Sequence, residues 1–261
     1  MKYIDSHVHW SDPRLYLSPE FDSLLTKSLD QQIDFFLLGG VSPDEWDVQL
    51  KLKKKYPHYF GLCFGLHPYF VSANEFEVCE QALDQLVQLL PQALALGEMG
   101  LDFRPHIVKE TESLQVEMFE NQLELAKAFQ KPVVLHVVQA HDKIRQIFKM
   151  WDPPEKGGFV HAFNGSFETA QIYIQNGLLI SVGGAVTFEK NRKLQDCVKK
   201  IPLEYLLLET DAPDQPTAHW PSDLNDSTSL LSVAKAIGSL RQLDPFEVLE
   251  ISASNFKRLF R

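Results

Sequence analysis

The chain has 261 residues, of which 44% are hydrophobic and 23% are charged, which is typical of a globular protein with a sizeable core. The net charge of −10 opposes the extended basic surface that duplex-DNA binding normally requires. No apolar run reaches the ~18 residues that would cross a bilayer, and the N-terminus lacks a signal-peptide pattern, so we expect a cytoplasmic protein without membrane contacts.

The three cysteines, Cys63, Cys79 and Cys197, are widely spaced and form no Cys-x-x-Cys pair. This spacing predicts reduced, mostly buried side chains rather than a disulfide framework or a thiolate metal site. Any metal site must therefore use histidine and carboxylate ligands.

Strand and helix patterns alternate along the chain. The predicted strands are 3–7, 33–38, 59–66, 93–96, 132–138, 158–161, 178–182 and 205–211. The predicted helices are 21–29, 42–56, 75–90, 112–129, 142–150, 167–176, 190–200, 227–240 and 245–260. Eight such repeats predict an α/β fold, a (β/α)8 TIM-type barrel that forms a single domain over residues 1–261. A doubly wound open sheet is the alternative, although no Gly-x-Gly-x-x-Gly follows the first strand.

The first strand carries the pattern Asp5-x-His7-x-His9. Side chains alternate along a strand, so both imidazoles point to the same side. Two imidazoles form half of a metal site, and the rest of the chain must then deliver further ligands to the same point.

Four later strands end in suitable side chains: Glu98 after the fourth strand, His136 in the fifth, His161 in the sixth and Asp211 in the eighth. In a barrel the carboxyl ends of the strands converge on one face. Four imidazoles and two carboxylates exceed the needs of one tetrahedral zinc, and they fit two metals that share a bridging carboxylate.

The remaining histidines have no such placement, and we interpret them as surface or loop residues; they are His58, His106, His141 and His219. Trp10 and Phe163 could line the mouth of the barrel, but packing is the simpler role for both.

At these strand ends the sequence resembles the TatD-like metal-dependent hydrolases of the amidohydrolase superfamily. The matching stretches cover nearly the whole chain and are 5–9 (DSHVH), 65–68 (GLHP), 97–102 (GEMGLD), 132–136 (PVVLH), 161–165 (HAFNG), 208–213 (LETDAP) and 254–260 (SNFKRLF). In this order and spacing these motifs are highly specific.

The resemblance implies a barrel with two divalent metal ions. His7, His9, Glu98 and Asp211 would surround one metal, and Glu98 would bridge to a second metal held by His136 and His161. Imidazole ligands favour Zn²⁺ or Mn²⁺ over Mg²⁺, but the residues do not choose among the three ions. Family members are typically described as DNases, and some are 3′→5′ exonucleases on single strands.

The same resemblance, taken with metal-assisted hydrolysis, gives roles to individual residues. Asp211 would orient an activated water and accept its proton, which makes Asp211 and Glu98 the catalytic candidates. His67 and Arg104 are candidate substrate contacts, against the alternatives of a turn residue and a surface arginine. Asp5 is expected to orient a ligand rather than to bind metal.

Glu209 is expected to brace the metal site from outside the ligand set. It stands next to Thr210 near the end of the eighth predicted strand.

Two departures from the family pattern bear on the substrate. Family members commonly carry His-x-Arg after the fifth strand, where this chain has His136-Val137-Val138. They also carry a basic Arg-Gly-x-x-Asn-Glu-Pro stretch after the eighth strand, of which only Asn225 is retained.

Three functions remain open. The leading prediction is a metal-dependent phosphodiesterase or deoxyribonuclease with DNA or another phosphoester as its partner and no obligate protein partner. The alternatives are a hydrolase of a small-molecule ester, amide or phosphoester at the same site, and a barrel that serves as a binding scaffold.

Overall fold

The computed structural model describes residues 2–261, in which parallel strands alternate with helices. The strands are Tyr3–Val8 (β1), Ile33–Leu38 (β2), Phe60–Gly61 (β3), Cys63–Phe64 (β4), Ala95–Asp102 (β5), Val133–Val138 (β6), Gly158–Val160 (β7), Leu178–Val182 (β8) and Leu206–Leu208 (β9). The helices are Pro13–Tyr16 (α1), Phe21–Asp30 (α2), Pro43–Lys55 (α3), Pro68–Ala73 (α4), Phe76–Leu89 (α5), Pro105–Val108 (α6), Glu112–Ala128 (α7), His141–Met150 (α8), Phe167–Gln175 (α9), Arg192–Lys200 (α10), Leu230–Arg241 (α11) and Pro245–Leu259 (α12).

Every strand pairs in parallel with its neighbour in chain order, β1 to β3 in one sheet and β4 to β9 in the other. Leu62 alone separates β3 from β4, so the two sheets continue through one stretch of chain. Backbone hydrogen bonds from Asp211 N to His7 O (3.1 Å) and from His9 N to Ala212 O (2.8 Å) join the end of β1 to the segment after β9. This order is that of a barrel with an interrupted third strand, because a doubly wound sheet reverses its strand order.

One end of the barrel is closed by α12. Asp244 caps this helix by accepting a hydrogen bond from Phe246 N (2.8 Å), and Pro245 occupies the first turn, where a backbone N–H is not needed. Phe256 of α12 packs edge-on against Phe35 of β2, with ring centroids 5.8 Å apart. Because α12 covers this end, the barrel is accessible from the opposite end, where the strands finish.

The structure differs from the predicted elements mainly at the strand ends. The fourth predicted strand, 93–96, is observed as Ala95–Asp102, because Gly100 and Asp102 continue the pairing with β6. The eighth predicted strand stops at Leu208, so Asp211 lies in the loop that follows it. The short helices α1, α4 and α6 were not predicted; each begins at a proline after an extended residue.

No helix among the described residues is long and apolar enough to span a membrane. The thiols of Cys63, Cys79 and Cys197 are free and buried.

Candidate metal centre and substrate cavity

The carboxylate of Glu98, near the middle of β5, lies between two groups of imidazoles. Its Oε1 atom is 3.2 Å from His7 Nε2 and 3.3 Å from His9 Nε2. Its Oε2 atom is 2.8 Å from His161 Nε2 and 3.8 Å from His136 Nδ1. The two oxygens of one carboxylate therefore face two separate sets of nitrogen donors.

The first set comes from β1 and from the loop after β9. Asp211 Oδ1 lies 3.6 Å from His7 Nε2 and 3.2 Å from His9 Nε2. Gly39, at the end of β2, makes room for both rings, because a Cβ atom there would lie 2.6 Å from His9 Cε1 and 2.7 Å from His7 Cε1. A side chain at position 39 would therefore displace the two imidazoles.

The second set comes from β6 and the end of β7. His136 Nδ1 is 3.1 Å from His161 Nε2, while His136 Nε2 is 3.2 Å from Asp102 Oδ2. A ring that donates its Nε2–H to a carboxylate presents the lone pair of Nδ1 to the centre. Metal-ligating histidines are commonly oriented in this way by an outer carboxylate.

His67 adjoins the second set but has a different protonation pattern. Its Nδ1 accepts a hydrogen bond from Tyr69 N (3.0 Å) at the start of α4. Burial lowers the pKa of His67 well below its usual range, so the ring is neutral and its proton is on Nε2. That nitrogen lies 3.7 Å from Glu98 Oε2, beyond hydrogen-bond distance, so His67 presents a free N–H to the cavity rather than a lone pair.

The charges of the centre are strongly coupled. Burial opposes ionisation of Glu98, but the surrounding imidazoles, chiefly His7 and His161, hold its pKa well below the usual range. Burial likewise opposes protonation of His9 and His161, yet Glu98 raises the pKa of His9 to about 10 and that of His161 to about 9. Burial lowers the pKa of His7 to about 4. The buried carboxylates thus favour positive charge beside them, which a divalent cation would supply.

Several buried atoms also support a cation at this point. Nε2 of His7 and Oε1 of Glu98, which lie 3.2 Å apart, make no hydrogen bond with any described residue. Each such desolvated polar atom costs about 1–3 kcal/mol. Two groups among the described residues have ligand atoms within 4.8 Å of one another, namely His7–His9–Asp211 and His7–Glu98–His161; a third group, His67–Glu98–His136, includes the Nε2–H of His67 in place of a lone pair. The donor set of imidazoles and carboxylates fits Zn²⁺ or Mn²⁺.

Two buried carboxylates brace the centre from outside. Asp5 accepts hydrogen bonds from the backbone and hydroxyl of Thr210 (2.9 and 2.6 Å) and from Ser227 (2.8 Å), which fixes the segment that carries Asp211. Glu209 accepts hydrogen bonds from Ala162 N and from the hydroxyl of Ser181, next to His161.

A cavity of about 810 Å³ opens above the centre, and Glu98 lies in its wall. Arg104 lines it and donates from Nε to Asp102 Oδ1 (2.9 Å) and from Nη2 to the hydroxyl of Tyr69. Among the described residues no acceptor is bound to its Nη1, so one edge of the guanidinium remains available. Arg14, at the rim, is held by Asp12 and Asp214.

This architecture matches known proteins over its whole length. The family model described as TatD related DNase matches residues 4–261. The chain belongs to the TatD family. It is 30% identical to the uncharacterized metal-dependent hydrolase YjjV of Escherichia coli K12, over 99% of this chain and 98% of that protein. It is 31% identical to the 3′-5′ ssDNA/RNA exonuclease TatD of Erwinia billingiae, over 92% of each chain.

Solved structures of TatD proteins superimpose closely. The crystal structure of Escherichia coli YjjV gives a TM-score of 0.84 at 29% identity, covering 99% of this chain and 97% of that one. A TatD family hydrolase from Entamoeba histolytica gives 0.88 at 18% identity, covering 99% and 98%. The predicted α/β barrel is confirmed, and this TatD-family chain is a metal-dependent hydrolase that acts on ester bonds.

The structure brings all six predicted ligand residues to one point and places both predicted substrate contacts, His67 and Arg104, at the same cavity. Their roles as ligands and contacts stay predictions. The structure also places two further residues at the centre, Asp102 and Gly39, which the sequence motifs did not predict as site residues. Asp102 was visible only as the last residue of the Gly-Leu-Asp stretch, and Gly39 as a strand terminator.

The interpretation of one histidine was wrong. His141 was expected at the surface or in a loop, but it lines the cavity and hydrogen-bonds to buried Tyr173 through Nδ1 (2.6 Å). It begins α8, three positions beyond the last residue of β6, which places it at the mouth of the barrel. His58, His106 and His219 are exposed, as predicted. Trp10 and Phe163 are buried, also as predicted.

Proposed function

We propose that this chain is a divalent-metal-dependent phosphodiesterase that degrades DNA, acting from the 3′ end of single strands. The observation that carries the proposal is the position of Glu98, one oxygen toward His7 and His9 and the other toward His161 and His136. A carboxylate shared between two donor sets suits a pair of cations about one phosphodiester. The exonuclease name of the Erwinia relative supports the choice of substrate.

One ion would be held by His7, His9, Glu98 and Asp211, and the other by Glu98, His136 and His161. Bound divalent cations lower the pKa of water and polarise phosphoryl oxygens. Asp211 is ionised at neutral pH, because the hydrogen bond from His9 and the charge of His161 outweigh burial and lower its pKa to about 2. An ionised carboxylate beside the attacking water is able to orient it and to accept its proton.

The substrate is positioned by donors of the chain itself. His67 offers its Nε2–H next to Glu98, and Arg104 offers Nη1 while Asp102 and Tyr69 hold the rest of its guanidinium. Arginine binds phosphate oxygens in a fixed geometry, and its preorganisation reduces the entropy lost on binding. Arg104 therefore takes over phosphate binding in a chain where Val138 stands in place of the family arginine.

The test is purified protein with Mg²⁺, Mn²⁺ or Zn²⁺ on single-stranded DNA labelled at its 5′ end. We expect shortening from the 3′ end that EDTA abolishes and that Asp211→Ala reduces at least about a hundredfold. Asp196→Asn, at an exposed carboxylate of α10, controls for the change in net charge. Cleavage that resists EDTA, or equal activity of Asp211→Ala, would contradict the mechanism.

A second candidate is a hydrolase of a small-molecule ester, amide or phosphoester. The observation that favours it is the apolar character of Val137 and Val138 in the cavity wall, together with the net charge of −10. Metal-dependent turnover of p-nitrophenyl esters or phosphates, with DNA left intact, would select this candidate over the first. Protein that takes up no metal when Mg²⁺, Mn²⁺ or Zn²⁺ is supplied, as measured by elemental analysis, and that turns over none of these substrates would favour a binding scaffold.

A further inference from the structure

The cavity has a second polar wall, formed by the starts of α8 and α10 and by the loop after β7. His141, Asn164 and Lys193 line it. None of the three belongs to the ligand set around Glu98 or takes part in the proposed hydrolysis.

His141 is fixed in one protonation form by Tyr173. The side chain of Tyr173 is fully buried, and its hydroxyl lies 2.6 Å from His141 Nδ1. Among residues 2–261 this nitrogen is the hydrogen-bond partner of the Tyr173 hydroxyl. The phenol donates its proton to the nitrogen, because a buried O–H group without an acceptor is costly. Burial and the nearby Lys193 lower the pKa of His141, so the ring is neutral. The proton of His141 is therefore on Nε2, as a donor.

Asn164 is oriented in a comparable way. Asn191 Nδ2 donates to the backbone carbonyl of Ala185 (3.1 Å) and to Asn164 Oδ1 (2.9 Å). The carbonyl of Ala185 can only accept, so the atom of Asn191 that faces it must be the NH₂ group. The same NH₂ group also faces Asn164, which must therefore present its Oδ1 atom. Asn164 Oδ1 is thus occupied, while its NH₂ group is left for a ligand.

Lys193 adds a positive charge to these two donors. It forms no ion pair with the residues that the structure describes within 4 Å. The acidic neighbour at the start of α8, Asp142, is paired with Arg145 at 3.1 Å. The wall therefore presents an N–H, an amide NH₂ and an ammonium group, without a free carboxylate to oppose an anion.

We propose that His141, Asn164 and Lys193 form a second anion subsite, which binds the phosphate next to the scissile one in a nucleic-acid strand. This inference rests on the proposed phosphodiesterase function. A cavity of about 810 Å³ lies in the upper part of the range of about 300–1,000 Å³ that holds drug-sized ligands, so it has room for more than one phosphodiester group. The subsite gives the enzyme a preference for strands with at least two phosphates.

The preference is measured with two thymidine oligomers, the dimer TpT with one phosphate and the trimer TpTpT with two. We expect Lys193→Gln to lower kcat/KM for TpTpT about tenfold more than for TpT. Lys190→Gln, a lysine just before α10 that does not line the cavity, is the matched control. Equal losses on both oligomers would overturn the subsite.

Tyr173→Phe tests the positioning role of the phenol. Two-bond ¹H–¹⁵N NMR spectra of the wild type should show His141 protonated at Nε2 alone, whereas Tyr173→Phe should show both neutral forms. A purely structural role of Tyr173 would not change this pattern. The same mixture in both proteins would overturn the assignment of the proton.

A binding measurement separates this inference from the proposed function. TpTpT is titrated in EDTA while the His141 Nε2–H signal is followed, with Lys193→Gln as the comparison. If the wild type binds TpTpT here but cleaves neither oligomer with metal, the phosphodiesterase proposal fails and the subsite stands. A signal that does not respond to TpTpT overturns the subsite, whether or not the enzyme is active.

Discussion

The base and the wall of the cavity are built in different ways. At the base, His7 and Glu98 are buried residues of β1 and β5, and neighbouring strands fix their separation. On the wall, Arg104 and Lys193 are placed by short helices and loops, and each is partly or fully exposed. The comparison indicates that the base determines whether chemistry occurs, while the wall determines what is bound.

The largest effect is expected from Glu98→Gln, which keeps the shape of the side chain and removes its charge. Both donor sets lose their shared carboxylate, so we expect metal content to fall and activity to drop about 10³-fold or more, roughly 4 kcal/mol. Elemental analysis and single-strand DNA cleavage measure the two effects. Asp196→Asn should behave as wild type, and a Glu98→Gln protein with full metal content would show that the base is assembled differently.

Metal removal should also destabilise the fold. The unpaired atoms His7 Nε2 and Glu98 Oε1 would be satisfied by a bound cation, and a site saturated at a hundredfold excess over Kd adds about 3 kcal/mol. Thermal unfolding with EDTA and with added Zn²⁺ or Mn²⁺ should differ by roughly 6–12 °C. Equal Tm values would mean that no cation binds the folded centre.

A smaller perturbation of the base comes from Gly39→Ala. The added Cβ would lie within 2.7 Å of both β1 imidazoles, so they must shift, and we expect about a hundredfold loss of activity. Gly183→Ala is the control, because its Cβ would meet its nearest neighbour at 3.4 Å. If Gly39→Ala has normal kinetics, the two histidines are not held to a narrow geometry.

A change in the wall should alter binding more than turnover. Arg104→Ala removes the free edge of the guanidinium and leaves Asp102 paired with His136 alone, so we expect KM for DNA to rise about tenfold. Arg145→Ala, in an exposed ion pair, controls for the lost charge. A loss in kcat alone would place Arg104 among the groups that act on the transition state.

The difference between the base and the wall of the cavity also explains which site residues could be predicted from the sequence. The ligand residues follow apolar strands, and their convergence is a rule of the barrel, so His7, His136 and Asp211 could be found in advance. The role of Asp102 depends on a cross-strand neighbour, because its distance to His136 follows from the pairing of β5 with β6. The residue pattern of one β-strand does not show which residues of the neighbouring strand lie beside it.

The wall could not be predicted for a related reason. His141 contacts Tyr173, which is 32 residues away on α9, and no periodicity links the two.

The strand Ala95–Asp102 was also predicted too short, because its glycines conceal the apolar pattern of a buried strand. A single domain over residues 1–261 stays a prediction.

The most direct test of the account is a crystal of the metal-loaded protein with anomalous diffraction measured at the Mn or Zn edge. We predict two peaks on either side of the Glu98 carboxylate, one near His7, His9 and Asp211 and one near His136 and His161. A single peak that leaves one oxygen of Glu98 without metal would contradict the shared-carboxylate centre, and peaks away from Glu98 would contradict the whole assignment.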